Sequence, residues 1–483
     1  MDRIRALEDP EHRPEIVLHH PYTLGGVASL PRSSSSVSSF STTGSNNTPQ
    51  PPLRGSLASN TGDVEILQEQ PVNGRQAILD VFFNVADQTG FFLDLGRFNE
   101  SMMLPHPLGD LTRPSPALGY TVYLWSSHLS SPSSNCEKVL LRNSLLFLTQ
   151  DLSAPHPNRV LHSIQAEILL SYYYLKNGKL IEGKHRADVA LSLALAADLH
   201  RIRSPGLASS TESMIPPPAD AVEEGERIDA FWAVLVLNNY WTAIQGSHSA
   251  LQNGAVDTPW PMASVQHEHH LLPMESRATL RDFLDGTSVA GYSEKALHAK
   301  AAVLFERATS IHDSDRRSIL QSGAFVHLDS LIDTFQNSLP LVDRIEAIHS
   351  SRDRNVLTQM LSHAAMIRLH HPFAQQLAHS YQKTLYAAQA IASLTPHVAS
   401  DPQHLHIDPI IGVIWTAACE VMMPLVIAWG SSTSGNTDLT TSLNTILDHL
   451  HSFSERNPLF KSLTQRFEPY YTGVRFPSNE GYI

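Results

Sequence analysis

Apolar residues recur with the period of an α-helix along most of this chain, and that spacing limits its fold more than any other feature. In 185–200 (HRADVALSLALAADLH), Ala187, Ala190, Leu191, Ala194 and Leu195 follow i, i+3, i+4, i+7, i+8, the stripe that one helix face buries. Val189 and Leu193 add a second apolar face, so this helix is expected to be covered on more than one side. The stretch 159–175 reads as a preceding helix that ends in Tyr172, Tyr173 and Tyr174, with Gly178 and Gly183 punctuating a short connection. So short a link makes the two helices antiparallel neighbours. The next helix has a sharp start: Pro216, Pro217 and Pro218 cannot sit inside it, and Asp220 with Glu223 has capping-box spacing. It runs through Phe231 and Trp232 to Gly246. Further helical patterns cover 297–310, 325–338, 355–379, 382–394, 411–427 and 439–453. Strand alternation with hairpin dipeptides is scarce. The expected class is all-α, a large multi-helix domain of packed antiparallel helical hairpins.

The expected helical body occupies 72–470. Before it, 10 of the 30 positions in 31–60 are Ser, Pro49, Pro51 and Pro52 follow closely, and few residues are apolar. Such a composition cannot repay its ordering entropy of roughly 1–2 kcal/mol per residue, so 31–71 is expected to be a disordered Ser/Pro-rich linker. Residues 1–30 form a short N-terminal segment too small to fold alone, and 471–483 a C-terminal tail.

Composition excludes several function classes. Lys plus Arg is 34 against 47 Asp plus Glu, a net charge of −13, and a chain without a basic footprint makes a poor DNA-binder on its own. Cys136 and Cys419 are the only cysteines, too few for a disulfide framework or a structural zinc cluster, and the compartment reads as reducing. The start (MDRIRALEDP) is charged, with no apolar secretory region after it. The 22-residue run 409–430 (PIIGVIWTAACEVMMPLVIAWG) is long enough to span a bilayer. Glu420 at its middle and Pro424 four residues later argue against that and for a buried helix surrounded by others.

No constellation for catalysis stands out. His267, His269 and His270, and His404 with His406, lack the i, i+4 spacing and further acid of a helical zinc site, so no metal ligands are assigned. GSHSA at 246–250 lacks the last glycine of a nucleophile elbow. Glycine-rich phosphate loops are missing. Asp282 and Asp285 in DFLDG are the only nearby i, i+3 Asp pair, and Gly286 ends any helix there, leaving a solvated helix-terminal pair. No catalytic residue, cofactor or DNA-binding residue is expected. The tyrosines of SYYYL and the Phe231–Trp232 pair read first as core; an aromatic ligand pocket between helices stays open, with its residues unassigned.

Several strings, taken in order, resemble the fungal-specific transcription factor regulatory domain, the middle homology region of binuclear zinc-cluster regulators. LALAADLHR closes on Leu199, His200 and Arg201. Glu224, Glu226 and Arg227 lead to Phe231 and Trp232. Gly246, Ser247, Asp257 and Pro259 follow, then Leu369, His370, His371, Pro372 and Phe373. ILDVFFNVADQTGFFLDLGRF and RPSPALGYTVYLWSSHLS, within 76–131, resemble mushroom-type members. The resemblance covers about 72–470 and is strongest before Met262. It implies a nuclear regulator of transcription acting through protein partners or self-association, with a small-molecule effector kept open and no membrane. One departure matters: the six zinc-holding cysteines of that family are not in this sequence, so this chain is not expected to bind DNA specifically itself. Nuclear localisation follows from the resemblance alone, since no Lys/Arg-rich import run is visible; Arg316 and Arg317 are the densest pair. The alternatives are a cytosolic helical scaffold, against which no 34-residue period recurs, and an all-α enzyme.

Overall fold

The computed structural model describes residues 72–202, 214–245, 256–262, 279–287, 290–311, 323–340, 349–398, 406–429, 434–455 and 457–467. The chain divides between Asp63 and Val64, and every described residue lies in the second part. The expected short segment 1–30, linker 31–71 and tail 471–483 therefore lie outside the described residues, as do the GSHSA string and His267, His269, His270 and His404.

The described residues form fifteen α-helices joined by turns and short 3-10 segments, with no strand among them. In order these are α1 (Val72–Phe83), α2 (Leu95–Met103), α3 (Pro116–Ser130), α4 (Asn135–Asp151), α5 (Arg159–Lys176), α6 (Leu180–Ala196), α7 (Ala221–Gln245) and α8 (Thr279–Leu284). Then come α9 (Glu294–Ser310), α10 (Gly323–Ser338), α11 (His349–His370), α12 (Ala378–Leu394), α13 (Ile410–Trp429), α14 (Ser434–Ser454) and α15 (Pro458–Gln465). Consecutive helices pair along much of the chain: α3 with α4, α5 with α6, α11 with α12, α13 with α14. The all-α expectation holds.

Local chemistry explains the boundaries. Asp220 accepts from Glu223 N at 2.9 Å, and Glu223 reaches back to Ala219 N at 2.7 Å. That is a capping box whose return bond lands one residue early, and it satisfies two of the donors a helix start leaves over. The stretch 355–379, expected as one helix, is two: α11 ends at His370, His371–Phe373 is a 3-10 turn, and α12 starts at Ala378. Pro372 lacks the N–H an α-helix needs there. Gly286 closes α8 with φ +72° and donates to Phe283 O at 3.0 Å, the left-handed cap that glycine favours.

A further sequence expectation is corrected. Gly183 does not belong to the connection between α5 and α6; it lies inside α6. A Cβ there would stand 2.6 Å from Trp241 Cζ2, so glycine is what lets α7 approach. The helix expected over 411–427 is present as α13 and runs through Pro424. Pro424 is exposed, and the carbonyl deprived of its donor belongs to Glu420, on the same outward face one turn earlier. Glu420 itself pairs with Arg466 at 3.0 Å. The window Ile410–Ala428 is apolar enough to cross a membrane, but 78% of it is buried inside the protein, which accounts for its hydropathy without a bilayer. The second face of α6 is only partly covered: Val189 and Leu193 are half-buried, whereas Ala187, Ala190, Leu191 and Ala194 are buried.

Candidate functional site

Three helices present their inner faces to one cavity. From α7 come Asp229, Trp232, Ala233 and Val236; from α9, Lys295, His298 and Ala299; from α11, Asp353, Val356 and Leu357. Each set has i, i+3, i+4 spacing, one helix face at a time. Tyr172 of α5, the turn Asp87–Gln88, and His406 to Asp408 complete the wall. The cavity offers about 120 Å³ to the centres of water molecules, several times what one water needs.

The aromatic part of the wall is held by neighbours behind it. Trp232 stacks on Trp260 with ring centroids 4.3 Å apart and donates its Nε1 proton to Pro259 O at 2.6 Å. Phe231, its sequence neighbour, is fully buried outside the cavity lining. Of the three consecutive tyrosines only Tyr172 lines the cavity, while Tyr173 and Tyr174 are core. The core and pocket readings of these aromatics thus divide residue by residue. Phe91 and Phe92 are set by the buried Gln165, whose Oε1 accepts from Phe92 N at 2.7 Å and whose Nε2 donates to Gly90 O at 3.2 Å. Gly90 has φ +71°, and a Cβ there would meet Ile168 and Tyr172 at 3.0 and 3.1 Å, so glycine is required twice over.

The polar part is dominated by carboxylates. Asp87, Asp229, Asp353 and Asp408 face two cations, Lys295 and Arg354. Both cations are engaged: Lys295 Nζ donates to Asp229 Oδ2 at 2.5 Å, and Arg354 pairs with Asp87. Asp229 Oδ1 and Gln88 Oε1 are buried acceptors without a protein partner. Asp408 is 6% exposed. Its Oδ1 accepts from Ile410 N at 3.0 Å, the one hydrogen bond of this carboxyl among the described residues. Burial pushes Asp408 up to about 7, with the Ile410 bond opposing it.

The histidines are neutral. Burial, with Arg354 adding repulsion, holds His298 down at about 3. Thr358 Oγ1 donates to Arg354 O at 2.8 Å, which leaves it to accept from His298 Nδ1 at 3.4 Å. His298 Nε2 then accepts from Tyr240 Oη at 2.9 Å, so the network assigns the tautomer. His406, packed edge-on to Trp125 at 5.2 Å, is held well below its ordinary value by burial, then by Lys176 and His128. Behind it, Glu137 is buried but accepts from Tyr173 Oη at 2.7 Å and contacts His128 Nδ1 at 2.8 Å. Burial opposes its charge, yet those bonds and Ser133 N win and hold its carboxyl below the usual range.

Among the described residues no group of three or more His, Cys, Asp or Glu is arranged to hold a metal ion. Cys136 is exposed, and Cys419 is fully buried with its thiol pushed up by desolvation and by Glu420. Asp282 is half-buried and Asp285 exposed, at the end of α8 and away from the cavity. What the site offers chemically is a buried acid, aromatic walls and an excess of acceptors. Sequence reading missed Asp229, Lys295, Asp353 and Asp408. The available signal was a charged residue placed on the apolar stripe of its own helix, as in Asp229-x-x-Trp232-Ala233.

The strings in the neighbourhood also meet. Leu199–Arg201 forms a 3-10 turn after α6. Asp257 N donates to His200 O at 2.9 Å, Thr258 Oγ1 donates to Leu199 O at 2.5 Å, and Ile202 N donates to Thr258 Oγ1 at 3.2 Å. Pro259, next in line, receives Trp232. Compared with protein-family models, curated proteins and solved structures, the chain matches none of them.

Proposed function

We propose that this chain regulates transcription through its all-α body, that it resembles a fungal transcription factor regulatory domain in doing so, and that the cavity receives a small effector. The observation that supports the reading is the meeting of the resemblance's strings in space. Leu199 and His200, Asp257 to Pro259, and Trp232 are scattered over 60 residues of sequence, yet four hydrogen bonds tie them into one junction. The junction carries Trp232 into the cavity wall, which links the family-like strings to a place where a ligand can act. A binding role is the reading carried forward, because the lining joins aromatic walls to a buried acid. Nuclear localisation and control through partners or self-association belong to the same proposal.

The test is a tethering assay. Residues 72–470, and separately the whole chain, are fused to a heterologous DNA-binding domain upstream of a reporter in a fungal host. Regulation predicts a change of about fivefold or more relative to the DNA-binding domain alone, together with nuclear accumulation of the unfused tagged chain. Reporter output equal to the control for both fusions would reject the reading.

A further inference from the structure

We propose that the cavity between α5, α7, α9 and α11 binds a small organic cation, a primary amine or quaternary ammonium on an apolar body, with Asp408 as its counter-ion. This deepens the effector reading and rests on it for its regulatory meaning, though not for the binding itself.

Three observations carry it. First, the wall holds four carboxylates against two cations, and its two histidines are neutral. The excess is negative. Second, an anionic ligand would have to take Lys295 from Asp229 or Arg354 from Asp87, whereas a cation needs no existing pair broken. Asp408 is more than nine-tenths buried and lines the cavity, and among the described residues only Ile410 N hydrogen-bonds its carboxyl. A buried carboxyl in that state is short of a positive charge. Third, Phe91, Phe92, Tyr172 and Trp232 line the same space, and aromatic rings beside a carboxylate are the surroundings in which ammonium groups are held through cation–π attraction.

The charge of Asp408 sets a pH signature. The groups around it are Tyr172 of α5, Asp229 and Tyr240 of α7, Lys295 and His298 of α9, Asp353 and Arg354 of α11, Asp87, and the adjoining His406. Burial keeps both tyrosines well above 10 and both histidines neutral, so neither the tyrosines nor the histidines change charge between pH 6 and 8. Lys176, 3.4 Å from His406 Nδ1 and lowered by burial to about 8, loses charge in the same direction. With Asp408 at about 7, its ionised fraction rises about tenfold from pH 6 to pH 8.

The experiment is calorimetric titration of the full chain with four probes sharing one body: 2-phenylethylamine, trimethyl(2-phenylethyl)ammonium, 2-phenylethanol and phenylacetate. Both cations are expected to bind at least tenfold more tightly than the alcohol, with phenylacetate weakest. The quaternary ion cannot lose its charge, so its expected tenfold gain from pH 6 to 8 must come from the protein. Asp408→Asn is expected to erase the preference and most of the gain, leaving only the smaller part that Lys176 contributes. Ala233→Leu, which fills the cavity and leaves Asp408 in place, is expected to weaken the cations and the alcohol alike; it decides the matter with the wild-type pH series if Asp408→Asn does not fold. Phenylacetate binding as tightly as the cations would overturn the proposal, as would no cation binding at 10 mM or a preference that survives Asp408→Asn. Cation binding with a silent reporter fusion would sink the regulatory reading alone. An active fusion with no cation binding would sink this one alone.

Discussion

Helices α5 and α7 face each other in two very different ways. Near Trp241 they are packed to contact: the indole is fully buried, its Nε1 donates to Ser171 Oγ at 2.9 Å, and Ser171 Oγ donates to Gly183 O at 2.8 Å. One glycine, one serine and one tryptophan there satisfy one another and pack in contact. Around Tyr172 and Trp232 the same two helices border a cavity whose wall carries charge. The difference shows what opens a helical interface. Where the buried stripe is small or aromatic the helices close; where it carries Asp229, with Lys295 and Asp353 opposite, charged groups desolvated by closure would cost more than contact returns.

Removing a tryptophan on each side gives the largest contrast. Trp241→Ala should lower unfolding free energy by about 5 kcal/mol, and Trp232→Ala by about 3 kcal/mol, because the second void joins space that already exists. Urea unfolding of the pair checks this, and equal losses would erase the distinction between a packed and a hollow side. Adding bulk sharpens it further. Gly183→Ala should cost about 2 kcal/mol by forcing the fixed Trp241 ring aside. Ala233→Leu, in the cavity wall, should stay within about 1 kcal/mol of wild type.

Acidity separates the sides next. Asp408 has a folded value near 7 against an unfolded value of 3.8, so the folded state binds more protons between those two limits. Stability contributed by this group is therefore lost as pH rises from about 4 to 7, and stays level above 7. Glu167 and Glu226, pushed up to about 7 chiefly by burial, act in the same direction. Asp408→Asn should flatten the stability profile in that window by up to about 1.4 kcal/mol per pH unit, as read by thermal midpoints at pH 5, 6 and 7; an unchanged profile would mean that Asp408 is solvated. The smallest effect belongs to the outer surface. Arg466→Ala removes the half-exposed partner of Glu420 and should change stability by about 0.5 kcal/mol or less.

The packed side was legible in the sequence and the hollow side was not. Helical periodicity placed the cores of α5, α6 and α7, and Asp220 with Glu223 announced the start of α7, because period and capping are local properties of the chain. Gly183 was misplaced since its reason is Trp241, a contact 58 residues away that no local pattern records. The cavity needs four helices and the stretch 406–408 brought to one point, and Asp408 has no helical register of its own to betray it. A one-residue clue existed in Asp229 and Lys295, each out of place on an apolar stripe. Read singly, each looks like a solvated helix charge; only the assembled body turns them into a shared wall.

The most direct measurement is a crystal structure of the chain grown with 2-phenylethylamine. An ammonium nitrogen at about 3 Å from the Asp408 carboxyl, with the phenyl ring against Tyr172 and Trp232, is the expected result. A cavity filled with water alone while the amine sits elsewhere, or a ring bound with its nitrogen turned toward Arg354, would contradict it.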